Sequence, residues 1–229
     1  MKISLKTLLI SGLASLAIGC GGGGGGGTGD VLPPTEPITT FPLFPSDYLS
    51  EGYQEYYPLN GSDNFGNTIT GRYAKKTQAQ TTFNSEPAIP IEGIFSITII
   101  ETGEFVTSSG VGYLSTDLDH LRFLGDTSTV SAETTALPRT AEINDFGHVG
   151  TYIDDEGDRQ VTTWELVDGG TGKAKLILST SYSDEFGRLK VSEDEIYTIN
   201  ESGQRLSIEV RLFSTVRGVT WTLTGANTE

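Results

Sequence analysis

Five four-residue motifs punctuate the chain, each with Asp or Asn first, an acid or amide second and Gly last. They are Asp63-Asn64-Phe65-Gly66, Asn144-Asp145-Phe146-Gly147, Asp154-Asp155-Glu156-Gly157, Asp184-Glu185-Phe186-Gly187 and Asn200-Glu201-Ser202-Gly203. A side chain at the first position accepts a hydrogen bond from the backbone two residues on. The glycine takes the positive φ of a type I turn closed by a G1 bulge. Each motif therefore predicts a hairpin.

Between the turns, apolar and polar residues alternate with period two, and no stretch sustains helical spacing. Over 204–213, Leu206, Ile208, Val210 and Leu212 share one face, with Arg205, Ser207, Glu209 and Arg211 opposite. Over 173–182, Ala174, Leu176, Leu178 and Tyr182 oppose Lys173, Lys175, Ser179 and Ser181. Over 219–224, Val219, Trp221 and Leu223 alternate with threonines. Weaker strand patterns fall near 67–76, 91–100, 104–114, 119–124, 148–153, 159–167 and 188–199. The expected class is all-β, an antiparallel meander of about 8–10 strands forming a curled sheet, a barrel or a sandwich. Each clear strand offers one polar face, the reverse of a lipid-facing barrel wall. Asn64-Phe65-Gly66-Asn67 before Tyr73 is echoed by Asp145-Phe146-Gly147-His148 before Tyr152. Hairpins of one type look alike, and that explanation is preferred to an internal duplication.

The N-terminus reads as an address. Lys2 and Lys6 precede a largely apolar run over 7–18, too short to span a ~30 Å hydrocarbon core as a helix. The run ends in Leu16-Ala17-Ile18-Gly19-Cys20, which holds the only cysteine. This segment resembles the lipobox of bacterial lipoproteins, although Ala17 stands where that family usually has Leu. The resemblance implies a signal peptide over 1–19, cleavage before Cys20 and lipidation of Cys20, an anchor that does not readily dissociate. In a two-membrane envelope the family's sorting tendency, with Gly21 rather than Asp after the cysteine, implies the outer membrane. Seven glycines, Gly21 to Gly27, and a proline-rich stretch follow. Polyglycine loses too much entropy to order, so 20–47 is expected to be a disordered tether and 48–229 a single β domain. A Gly run after a lipidated cysteine also resembles surface-displayed lipoproteins.

The formal charge is −15, which repels phosphate backbones and anionic headgroups and argues against nucleic-acid binding. One cysteine excludes a disulfide framework and a cysteine-based zinc site. His120 and His148 lack metal-ligand spacing. Ser108-Ser109-Gly110 lacks the leading glycine of a nucleophile elbow, so no catalytic residue is assigned. Asp154, Glu156 and Asp158, with Glu165 at the twelfth position, superficially resemble a calcium loop. However, Arg159 replaces the required glycine and Glu165 lies in a strand pattern, so an acidic hairpin tip is the better reading. No cofactor is expected. Carboxylate pairs suited to glycoside chemistry cannot be singled out among 30 acids. Trp221 reads as core, Trp164 is ambiguous, and Tyr48, Tyr53, Tyr56 and Tyr57 suggest either a binding edge or the closure of one end of the core.

Two functions compete. One is a non-catalytic envelope module presenting a surface to a protein or glycan. The other is a lipocalin-like barrel carrying a small apolar or lipid ligand. The inward set Leu176, Leu178, Leu206, Ile208, Val210, Leu212, Val219, Trp221 and Leu223 is bulky, with no polar group standing out to orient a ligand. That favours the first.

Overall fold

The computed structural model describes residues 40–116, 120–126 and 129–229. The signal peptide, Cys20, the polyglycine run and Asp117 to Asp119 lie outside the described residues. The strands are β1 (Thr40–Pro42), β2 (Gln54–Asp63), β3 (Thr68–Thr77), β4 (Thr81–Phe83), β5 (Glu86–Ile99), β6 (Phe105–Ser115), β7 (His120–Leu121), β8 (Phe123–Asp126), β9 (Thr129–Thr134), β10 (Leu137–Pro138), β11 (Thr140–Glu142), β12 (Phe146–Asp154), β13 (Arg159–Asp168), β14 (Lys173–Ser183), β15 (Leu189–Asn200), β16 (Arg205–Ser214) and β17 (Val219–Ala226). No helix occurs among the described residues.

Twelve strands form one antiparallel path, in the order β8-β6-β5-β3-β2-β17-β16-β15-β14-β13-β12-β9. The path runs as a meander except where β17 returns to pair with β2, placing Trp221 opposite Asp63 and Leu223 opposite Gly61. A Cβ on Gly61 would lie 1.9 Å from the Thr222 carbonyl oxygen, so only glycine admits this junction. The two edges, β8 and β9, are successive in the chain and lie side by side. Tyr152 of β12 bridges toward β8: its hydroxyl donates to the Phe123 carbonyl at 3.4 Å and the two rings meet edge-on at 5.0 Å. The result is an up-and-down barrel with one seam, and it has more strands than the alternation predicted.

Alternate side chains point inward. Leu59, Tyr57, Tyr73, Leu176, Tyr197 and Leu223 are essentially without exposure. Full burial of each such side chain contributes about 1.5–3 kcal/mol. The outward positions carry Thr, Ser, Lys and Glu, as expected.

Four of the five turn motifs close as predicted. At Asp184, for example, Oδ1 accepts from the Phe186 and Arg188 amides at 3.0 and 2.9 Å, and Gly187 sits at φ +78°. The fifth, Asn144 to Gly147, does not form that hairpin. Positive φ falls on Asn144 at +77°, and the flanking β11 and β12 pair with other strands. Gly147 is needed for a different reason: a Cβ there would lie 2.6 Å from Nε1 of Trp164. The echoed segments consequently sit at opposite ends of the barrel, which removes the basis for a duplication.

Two expectations are corrected. The ordered domain begins before residue 48. β1 pairs with β11, and Phe41, Leu43 and Phe44 are buried in the core, because three bulky apolar groups among the prolines outweigh the extended tendency of that stretch. Arg205 faces inward rather than outward, and Leu206 is only half-buried. The cause is a bulge: Thr198 opposes Ser207 but Ile199 opposes Arg205, so the alternation slips by one residue at Leu206.

Candidate functional site

The barrel has two unlike ends. At the first, loops join β3 to β5, β13 to β14 and β15 to β16, and the described chain begins. Segment 40–53 lies across this end, with Phe44, Tyr48 and Tyr53 in a chain of ring contacts at 4.8 and 5.4 Å. Beneath it Arg205 is 1% exposed, its Nη1 donating to both oxygens of Glu55 at 3.2 Å. Tyr53 and Tyr57 donate to the same carboxylate at 2.9 and 3.2 Å. The Arg205 guanidinium lies 4.0, 5.0 and 5.1 Å from the ring centres of Tyr197, Tyr48 and Phe44. Burial is the largest single influence and works against the Arg205 charge, but the Glu55 carboxylate together with the surrounding Tyr48, Tyr197 and Tyr57 outweighs it and holds the guanidinium protonated. Burial and then the Glu55 charge raise the Tyr57 hydroxyl.

Deeper inside, a second cluster links opposite walls. Glu195 accepts from Tyr73 at 2.6 Å, from Tyr197 at 2.6 Å and from Lys75 at 3.1 Å. Lys75 also donates to the Tyr197 hydroxyl at 2.9 Å. Glu193, next inward on β15, is 3% exposed. Burial, and then the neighbouring Glu195 charge, push its carboxyl well above the ordinary range. These inward polar groups overturn the expectation that none stands out.

Their placement was partly legible. Along β15, Glu193 and Glu195 fall in register with Val191, Tyr197 and Ile199, the apolar face of that strand. Arg205 carried no such signal, because the bulge reverses its side.

The residues singled out from sequence do not converge. Asp154 Oδ1 accepts from the Glu156 and Asp158 amides, serving its own turn, and Asp158 pairs with Lys190. Glu165 lies outward on β13. No group of three or more acids, histidines or cysteines fit to hold a metal occurs among the described residues. His148 lies within 3.5 Å of Thr135 and 3.3 Å of Thr151. The side chain of His120 and the lipidation candidate Cys20 fall outside the description. Trp221 and Trp164 are both buried and inward, unavailable for stacking on a sugar. Tyr48 and Tyr57 are buried and Tyr53 half-buried, closing the core rather than forming an edge.

The second end gathers the loops joining β2 to β3, β5 to β6, β12 to β13, β14 to β15 and β16 to β17. Of nine large apolar side chains exposed among the described residues, all but Phe146 belong to this rim. Ile153 and Leu189 lie where outer strand faces meet it. A shallow outer groove of about 410 Å³, lined by Pro58, Asn60, Lys175, Thr198 and Glu209, runs along the barrel wall.

No protein-family model and no curated protein matches the chain. Among solved structures it is similar to a candidate lipoprotein from Parabacteroides distasonis ATCC 8503, at 13% identity and TM-score 0.38, over 81% of this chain and 97% of that one. It is also similar to a candidate exported protein with a YmcC-like fold from Bacteroides fragilis NCTC 9343, at 7% identity and TM-score 0.36, over 82% and 100% respectively. Likenesses at this level carry no functional argument.

Proposed function

We propose that the protein is a lipid-anchored module of the bacterial envelope, held through Cys20 in the outer membrane, whose barrel is non-catalytic and presents its outer surface to an envelope partner. The lipobox-like Leu16 to Cys20 supports the anchor. The observation that carries the non-catalytic reading is the filling of the barrel by its own side chains: Tyr57, Tyr73, Tyr152 and Tyr197 are all 0% exposed. Bulk of that kind occupies the space a carrier would keep for a ligand. Glu193 and Glu195, the one inward carboxylate pair in register among the described residues, are 3% and 2% exposed, which leaves a substrate no approach to them.

Mass spectrometry of the mature protein is expected to find an N-terminal, acylated Cys20. An unmodified Cys20 or a retained leader would overturn the anchor. Native mass spectrometry of the barrel released from its own envelope is expected to give the bare polypeptide mass. A stoichiometric co-purifying lipid would favour a carrier instead.

A further inference from the structure

Phe65 and Phe186 occupy the third position of two tight turns and are 70% and 74% exposed. A core would bury these rings, and nothing in the turn geometry requires them, since that position carries Glu156 and Ser202 in the sister turns. Ile100 and Phe105 flank the β5–β6 loop, and Phe213 and Val216 the β16–β17 loop, all at least 40% exposed. Exposed apolar groups thus encircle one end of the barrel, the end opposite Thr40, where the described chain begins. Scattered single hydrophobes are ordinary on a surface, but eight of the nine among the described residues gather at one rim.

The charges at the rim are unbalanced. Arg188, Lys190 and Arg217 are each paired with a rim acid, Asp184, Asp158 and Glu104. Asp155, Glu156 and Glu185 are exposed and in no ion pair among the described residues, against one unpaired cation, Arg159.

We infer that this rim is the docking surface for another protein, one whose own contact face is apolar and fringed with Lys or Arg. The inference rests on the surface-presenting reading above and names the surface. The excess of unpaired acid disfavours an anionic lipid surface and equally a second copy of the same rim, because both set like charges against each other. A cationic partner gains from both features, the aromatics supplying anchors and the acids steering and registering the approach.

The test places the photoreactive residue p-benzoyl-phenylalanine at Phe65 or Phe186 in the full lipidated chain within its own envelope. Parallel insertions go at Lys175 and Thr198 in the side groove and at Phe146 at the other end. The expected result is a protein adduct from the two rim positions alone, whose crosslinked peptide carries net positive charge. Its yield should fall at least about fivefold between 0.05 and 0.5 M salt, and again when Phe105→Ser and Phe213→Ser are added. Adducts to lipid, to a second copy or to an acidic peptide would overturn the inference. Adducts only from the groove or from Phe146 would overturn the rim while leaving the presenting role intact. Absence of adducts at every position would remove both.

Discussion

The two ends of the barrel are built by opposite means. The end nearest Thr40 is closed by distant parts of the chain: Phe41 and Leu43 come from the N-terminal segment, Glu55 from β2 and Arg205 from β16, and the last two are 150 residues apart. The far rim is built from short turns, three of the five stabilised by an Asp of their own (Asp63, Asp154 and Asp184), and its large apolar groups are left in water. The buried aromatic and charged packing lies at one end, and the exposed apolar groups lie at the other.

That contrast predicts a gradient of mutational cost. Arg205→Met should be the most damaging, because it leaves Glu55 buried and unpaired. A loss of about 3–5 kcal/mol is expected by chemical denaturation, and adding Glu55→Met should recover a large part of it. Leu43→Ala should lose about 2–5 kcal/mol. A near-neutral result there would mean that segment 40–53 is not part of the cooperative unit.

Glu193→Gln tests the barrel between the two ends. An unfolded glutamate releases its proton near its ordinary value of 4.5, whereas burial makes the folded group hold it to higher pH. This residue's contribution to stability is therefore full below that value and is lost as pH rises through the raised folded value. The glutamine variant should match the parent in acid and exceed it at neutral pH, gaining about 2–4 °C in Tm for each kcal/mol recovered. A gain that shrinks with rising pH would contradict a carboxyl whose proton is held to higher pH in the fold. At the far rim, Phe186→Ser should alter stability by no more than about 0.5 kcal/mol, read from the same denaturation curves. A larger loss would show that the ring packs and is not kept for a partner.

The turns and the apolar faces of β14 and β17 were legible because both depend on neighbours in sequence. Asp184 bonds to residues two and four places on, and Leu176 alternates with Lys175 and Ile177 along one strand. Three features were hidden. Strand β2 carries Pro58, Asn60 and Gly61, residues that blur a strand pattern, yet it pairs with β17 and its glycine is needed for that close approach. The inward turn of Arg205 depends on a bulge against β15, which exists only once the two strands are paired. The rim was hidden for a different reason. Phe65, Phe105 and Phe186 are far apart in sequence, and only the alternation of hairpin directions brings them to the same end.

The pairing of β17 with β2 also sets an order of events. Asn64 and Thr220 exchange hydrogen bonds across that junction although 156 residues separate them. A chain delivered to its compartment N-terminus first can zip its hairpins one after another, but it cannot complete the ring until Val219 to Ala226 has emerged. Until then β2 presents an unpaired edge, open to any other strand nearby. The slow, high-separation step comes last, and the interval before it is when the chain is most exposed to misassembly and most in need of a holding chaperone.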